Sequence, residues 1–156
     1  MQVNSMQEAL YLACQMETGA VQLYARALQL LTEQGREQEP LFQKVAYMHD
    51  DEREHLRQFR ALYSGLDGGR ERQLTLAAVA EGILFEGGLM GAVRQGLLKD
   101  VPSLLQYAMQ AEKTSALKYR EFAAQATDEA TRSTLLFIAA EEDRHQRDLE
   151  FQAQLG

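Results

Sequence analysis

Four stretches of the sequence repeat apolar residues at alternating intervals of three and four, the spacing of one face of a helix packed in a bundle. They run from about 5 to 33, 40 to 63, 100 to 126 and 128 to 154. We call each such helix face a stripe. Every stripe has a glutamate near its middle: Glu17, Glu52, Glu112 and Glu142. In two stripes a histidine follows three residues later, His55 after Glu52 and His145 after Glu142. The spacing predicts an all-α protein whose four main helices turn these polar side chains inward.

The two halves of the chain repeat the same pattern. Glu17 is followed seven residues later by Tyr24, and Glu112 is followed seven residues later by Tyr119. In each half a Glu-x-x-His motif comes next, on the following helix. The repeat predicts a duplicated helix hairpin.

Proline, glycine and cap residues mark the predicted helix ends. Pro40 begins the second helix, because proline is tolerated in a first turn where its missing N–H has no partner. Gly65 is predicted to cap the C-terminus of that helix, and Thr127 or Asp128 the N-terminus of the fourth. We expect the long crossover between helices two and three, residues 66–99, to be partly helical and to cover the core or a second subunit.

The composition fits one domain spanning residues 1–156. Hydrophobic residues make up 46% of the chain, enough for one sizeable core. The net charge of −7, from 16 basic and 23 acidic residues, lacks the basic surplus that nucleic-acid binding requires. Nucleic acid is therefore excluded as a partner.

Targeting and cysteine signals are sparse. Cys14 is the single cysteine, which excludes an internal disulfide framework and a Cys-x-x-Cys zinc site. The first residues lack the basic and apolar regions of a signal peptide, and Glu81 and Glu86 interrupt the most apolar run. We therefore expect a cytoplasmic protein with no membrane partner.

The four inward-facing glutamates require positive charge nearby. A buried carboxylate costs several kcal/mol unless a positive charge meets it, and four in one layer also repel one another. No lysine or arginine shares the stripes near them, whereas two divalent cations would balance the four charges. Because Glu and His at i and i+3 lie on one helix face, both can approach the same metal pair. Oxygen-rich ligation with two imidazoles suits iron or manganese, and zinc is possible.

The motifs resemble those of the ferritin-like superfamily, and within it the rubrerythrin-type di-iron carboxylate proteins. The resemblance covers all four stripes but not residues 66–99, and it implies a ferritin-like four-helix bundle with two iron ions. It also implies that Glu52 and Glu142 bridge the two ions. Glu17 and Glu112 would then be terminal ligands, and His55 and His145 would supply one imidazole to each ion.

Three departures from the related families affect the interpretation. Rubrerythrins often have a seventh ligand, a glutamate one turn after the third-helix Glu, where this chain has Ser115. The rubredoxin-like domain of rubrerythrins has no counterpart in these residues, so an external electron donor is expected. Bacterioferritins place a haem-binding Met where this chain has Arg53, so haem is not expected.

The resemblance implies an oxidoreductase that reduces H₂O₂ or O₂, with the six ligands acting through the metals and Tyr24 and Tyr119 as candidate participants. Two alternatives stay open: a ferroxidase that handles iron, and a metal-binding interaction module that uses the apolar residues 83–93. We expect a homodimer, with the crossover as the candidate surface. Asp51 and Glu141 either orient a histidine of a neighbouring helix or lie on a solvated face.

Overall fold

The computed structural model describes residues 3–155, which form six helices and no strand. The helices are α1 Met6–Glu33, α2 Pro40–Leu62, α3 Gly68–Ala80, α4 Gly88–Arg94, α5 Val101–Gln125 and α6 Glu129–Leu155. The four long helices, α1, α2, α5 and α6, are the four predicted stripes. The predicted all-α bundle is confirmed.

The helices pack as two hairpins. α1 lies along α2 and α5 along α6, and the hairpins meet mainly through α1 against α5, with a smaller contact between α2 and α6. Because residues 34–39 and 126–128 are short connections, each hairpin is antiparallel. This arrangement turns the four stripes toward one shared interior.

Local capping explains most of the helix ends. The side chains of Ser5, Asp100 and Asp128 each accept a hydrogen bond from the backbone N–H three residues on, at 3.2, 2.8 and 3.0 Å. Asp128, and not Thr127, therefore caps α6. The prediction that Gly65 caps α2 is wrong, because the chain leaves that helix in an extended conformation at Tyr63.

The core is divided by a polar layer. One apolar cluster includes Phe59 and Ile138, and a second includes Leu31 and Val45. Along each long helix the central glutamate lies between residues of the two clusters, as Glu17 does between Met16 and Leu23. The carboxylates are thus enclosed by apolar packing at both ends.

The crossover covers α1. Both α3 and α4 contact that helix, and Leu74 and Ala78 of α3 are buried in the core. The hydroxyl groups of Tyr11 and Thr75 share a hydrogen bond of 2.7 Å. The crossover is therefore partly helical, as predicted, and covers the core, whereas homodimerisation through it stays a prediction. None of the helices within residues 3–155 is long and apolar enough to cross a membrane.

Candidate metal centre

The six predicted ligand residues come together in the middle of the bundle, and we call this group of polar side chains the cluster. α1 contributes Glu17 and α5 contributes Glu112, and the Glu-x-x-His motifs of α2 and α6 supply the other four. All six side chains are buried, at 3% exposure or less. Helical periodicity explains the inward orientation, since each ligand lies on the stripe that its own helix presents to the interior. Their function as ligands stays a prediction.

The potential ligand atoms form two overlapping groups. Glu17, Glu52, His55 and Glu142 form one group, and Glu52, Glu112, Glu142 and His145 form the other. Within each group the ligand atoms all lie within 4.8 Å of one another. Each group has its own glutamate and its own histidine, whereas Glu52 and Glu142 belong to both. This is the arrangement needed for two metal ions that share two carboxylates.

Each histidine directs Nδ1 into the cluster. Nδ1 of His55 lies 3.0 Å from an oxygen of Glu142 and 3.3 Å from one of Glu52. Nδ1 of His145 lies 3.1 Å from an oxygen of Glu52 and 3.4 Å from one of Glu112. The two rings are 6.1 Å apart between centroids and nearly parallel.

The opposite ring nitrogens contact carboxylates of the neighbouring helix. Nε2 of His55 lies 2.8 Å from Oε1 of Glu141, and Nε2 of His145 lies 2.9 Å from Oδ2 of Asp51. Because a carboxylate accepts, Nε2 carries a proton and donates it, so that in the neutral ring the lone pair is on Nδ1. Of the two readings left open for Asp51 and Glu141, the structure supports the orienting one.

Two tyrosines connect the hairpins. The Tyr24 hydroxyl of α1 donates to Oε1 of Glu112 on α5 at 2.5 Å. The Tyr119 hydroxyl of α5 donates to Oε1 of Glu17 on α1 at 2.8 Å. Each bond orients one oxygen of a glutamate that belongs to only one of the two groups. The pairing crosses between the sequence repeats, because α1 and α5 face each other.

The remaining polar atoms of the cluster fit metal ions. The following atoms are buried without a hydrogen-bond partner among residues 3–155: Oε2 of Glu17 and Glu112, both carboxylate oxygens of Glu52, Oε1 of Glu142, and Nδ1 of both histidines. Lone pairs on Nδ1 facing carboxylate oxygens repel one another unless a proton or a cation lies between them. Two divalent ions would satisfy these atoms and balance the four carboxylates.

The electrostatics of the protein without metal show how strongly this cluster attracts positive charge. Burial raises the pKa of Glu17 and Glu142 well above 4.5, and neighbouring carboxylates add to the increase. Burial would lower the pKa of each histidine, but the surrounding glutamates outweigh it and raise the pKa of His55 and His145 to about 11. Protons therefore occupy positions that metal ions would take, and metal binding would displace them.

The tyrosine hydroxyls respond to the same environment. Burial raises the pKa of Tyr24 well above 10, and the nearby Glu112 carboxylate raises it further. Burial and the Glu17 carboxylate do the same to the pKa of Tyr119. Both hydroxyls therefore keep their protons at neutral pH and act as donors.

Sequence reasoning did not single out Gly19, which lies on α1 beside the cluster and lines a cavity. A glycine inside a helical pattern is the signal that was available, since it costs about 1 kcal/mol relative to alanine. Ser115, at the position of the seventh ligand, lines the same cavity and brings no carboxylate to the site.

Comparison with known proteins agrees with this fold. The family model described as "Rubrerythrin" matches residues 8–150. A solved structure, "Hypothetical Protein Pfu-1136390-001" from Pyrococcus furiosus, is similar in fold, with a TM-score of 0.68 and 21% sequence identity. The alignment covers 97% of this chain and 89% of that one. A search among curated proteins finds no match. Since the family model covers most of all four long helices and every residue of the cluster, the chain belongs to the rubrerythrin family.

Proposed function

We propose that the protein is a di-iron oxidoreductase that reduces H₂O₂, or O₂, with electrons from an external donor. One observation carries the proposal: the two groups of carboxylate and imidazole atoms that share Glu52 and Glu142 at the centre of the bundle. Oxygen-rich ligation with one imidazole for each ion suits iron, and manganese or zinc would also fit the donor set.

The six ligands would hold the ions in fixed positions. Glu52 and Glu142 would bridge them, while Glu17 with His55 and Glu112 with His145 would each complete one ion. Bound there, two ferrous ions would supply the two electrons that, with two protons, convert one H₂O₂ to two water molecules. A one-electron carrier would restore those two electrons.

The surrounding residues keep the ligands ready for this chemistry. The Tyr24 and Tyr119 hydroxyls hold one oxygen of Glu112 and of Glu17 in place, which leaves the second oxygen of each carboxylate directed into the cluster. Asp51 and Glu141 accept from Nε2 of the histidines, so that loss of the Nδ1 proton would leave a lone pair directed into the cluster. Burial of the whole layer excludes bulk water and strengthens these interactions.

The test is stopped-flow mixing of anaerobic protein, loaded with two ferrous ions per chain, with either H₂O₂ or O₂. We expect oxidation by H₂O₂ to be the faster reaction. Glu17→Ala should abolish it by removing a ligand, whereas Glu33→Ala, at an exposed position on the same helix, should react like the wild type.

Three results would contradict this proposal. Oxidation by O₂ as fast as by H₂O₂ would remove the preference for peroxide. Retention of iron far beyond two ions per chain, in a large assembly, would favour iron handling. Metal content unaffected by Glu17→Ala would favour an interaction module.

A further inference from the structure

A cavity of about 700 Å³ lies between α1, α5 and the crossover. Its size is in the range of small-molecule binding sites in proteins. Leu23 of α1, Tyr107 of α5, and Val79 and Phe85 of the crossover are among its apolar lining residues. The crossover therefore encloses space against the bundle as well as covering core residues.

The cavity reaches the cluster of glutamate and histidine side chains. Glu112, Glu142 and Tyr24 line it, and each of these side chains is buried at 3% exposure or less. Oε2 of Glu112 and Oε1 of Glu142 are among the atoms without a hydrogen-bond partner in the described residues. Glu112 and Glu142 therefore close the inner end of the cavity, and the body of a molecule bound there would lie against apolar side chains.

Small residues keep this space open. Gly19 lines the cavity from α1, and a Cβ atom built there would meet no heavy atom within 4 Å. Its backbone is helical, so the glycine is not required by an unusual φ angle. Ala111 and Ser115 line the opposite side from α5.

The charges of the lining specify what can bind. Among the described residues that line the cavity there is no lysine or arginine, whereas Glu86, Glu112 and Glu142 are acidic. In the protein without metal, an anionic ligand such as a fatty acid or a phosphate would meet these acidic side chains and no lysine or arginine of the lining, so its binding would be disfavoured. An uncharged molecule avoids this cost.

We propose that the cavity binds an uncharged, largely apolar small molecule whose single polar end faces Glu112 and Glu142. The inference deepens the proposed function, since it places an organic ligand beside the same metal centre. Binding itself depends on the cavity and not on the ions, so it can be tested without metal.

The test measures binding of the neutral fluorescent probe N-phenyl-1-naphthylamine to the full chain, with and without ferrous ions, followed by displacement with 1-decanol or decanoate. We expect the wild type to bind the probe, and in the protein without metal we expect 1-decanol to displace it more effectively than decanoate. Gly19→Phe should lower the affinity by about tenfold or more, because the ring fills space that the ligand needs. Ala25→Phe, exposed on the same helix and outside the cavity lining, is the matched control and should bind like the wild type.

Circular dichroism would establish that the variants are folded, and Ala111→Leu on the opposite wall would replace Gly19→Phe if that variant were unfolded. No probe binding by the wild type, or equal binding by the folded cavity variant and the control, would overturn the inference. The inference would also be overturned if a second copy of the chain covered the cavity. In that case the wild type would be a dimer that does not bind the probe, and Gly19→Phe would dissociate it. Metal content separates the two proposals: two ions per chain without probe binding refute only the cavity, and probe binding without metal uptake refutes only the di-iron function.

Discussion

Replacing Asp51 by alanine tests whether carboxylates outside the cluster hold the histidines in the state that metal binding would need. The Asp51 carboxylate accepts a hydrogen bond from Nε2 of His145 at 2.9 Å. This one contact is enough to keep a proton on Nε2. Without this acceptor, the proton can move to Nδ1 and block the lone pair that would bind metal. Loss of such a partner lowers metal affinity by about 10- to 100-fold, which corresponds to about 1.4 to 2.7 kcal/mol.

Three further variants serve as comparisons for Asp51→Ala. Asp50 is the preceding residue of α2 and is exposed, so Asp50→Ala removes the same charge without touching the histidine. Asp51→Asn keeps an acceptor oxygen and should retain more affinity than Asp51→Ala. Glu141→Ala should act on the other ion, because Glu141 contacts Nε2 of His55 at 2.8 Å.

The assay is an anaerobic titration with ferrous ions against a competing chelator. Asp51→Ala should weaken mainly the ion held by Glu112 and His145, and Glu141→Ala mainly the ion held by Glu17 and His55. The reasoning is refuted if Asp51→Ala binds both ions as tightly as Asp50→Ala does.

Three further predictions concern stability. Tyr119→Phe leaves an oxygen of buried Glu17 without its donor and should cost the metal-free protein about 1–3 kcal/mol in urea unfolding; an unchanged midpoint would show that the bond contributes nothing. Phe59→Ala, at a fully buried core position, should cost about 3–5 kcal/mol in the same assay, and a loss under about 1 kcal/mol would mean that the core collapses around the gap. The Arg70 hydrogen bond lowers the pKa of Glu8 below 4.5, so its contribution to stability is present above that pH and is lost as the pH falls through the lower folded pKa. The difference in urea midpoint between wild type and Glu8→Gln should therefore be present near neutral pH and shrink in acid, and a constant difference would contradict the assignment.

The sequence by itself determined the interior face of each long helix. Glu52 and His55 must share a face because three residues advance a helix by nearly one turn, and this local geometry needs no tertiary information. The same periodicity predicted which side chains are buried, and the charge argument followed from burial. The rubrerythrin resemblance rested on these local motifs.

The contacts between helices were decided by the tertiary structure. Nothing in the spacing within α6 states that Glu141 meets His55, which lies 86 positions earlier in the chain, or that Tyr119 reaches Glu17 across 102 positions. Such contacts depend on the rotation and offset of one packed helix against another, which the sum of many distant side-chain contacts sets. The cavity has the same origin, because its walls come from three separate segments that only packing brings to one place.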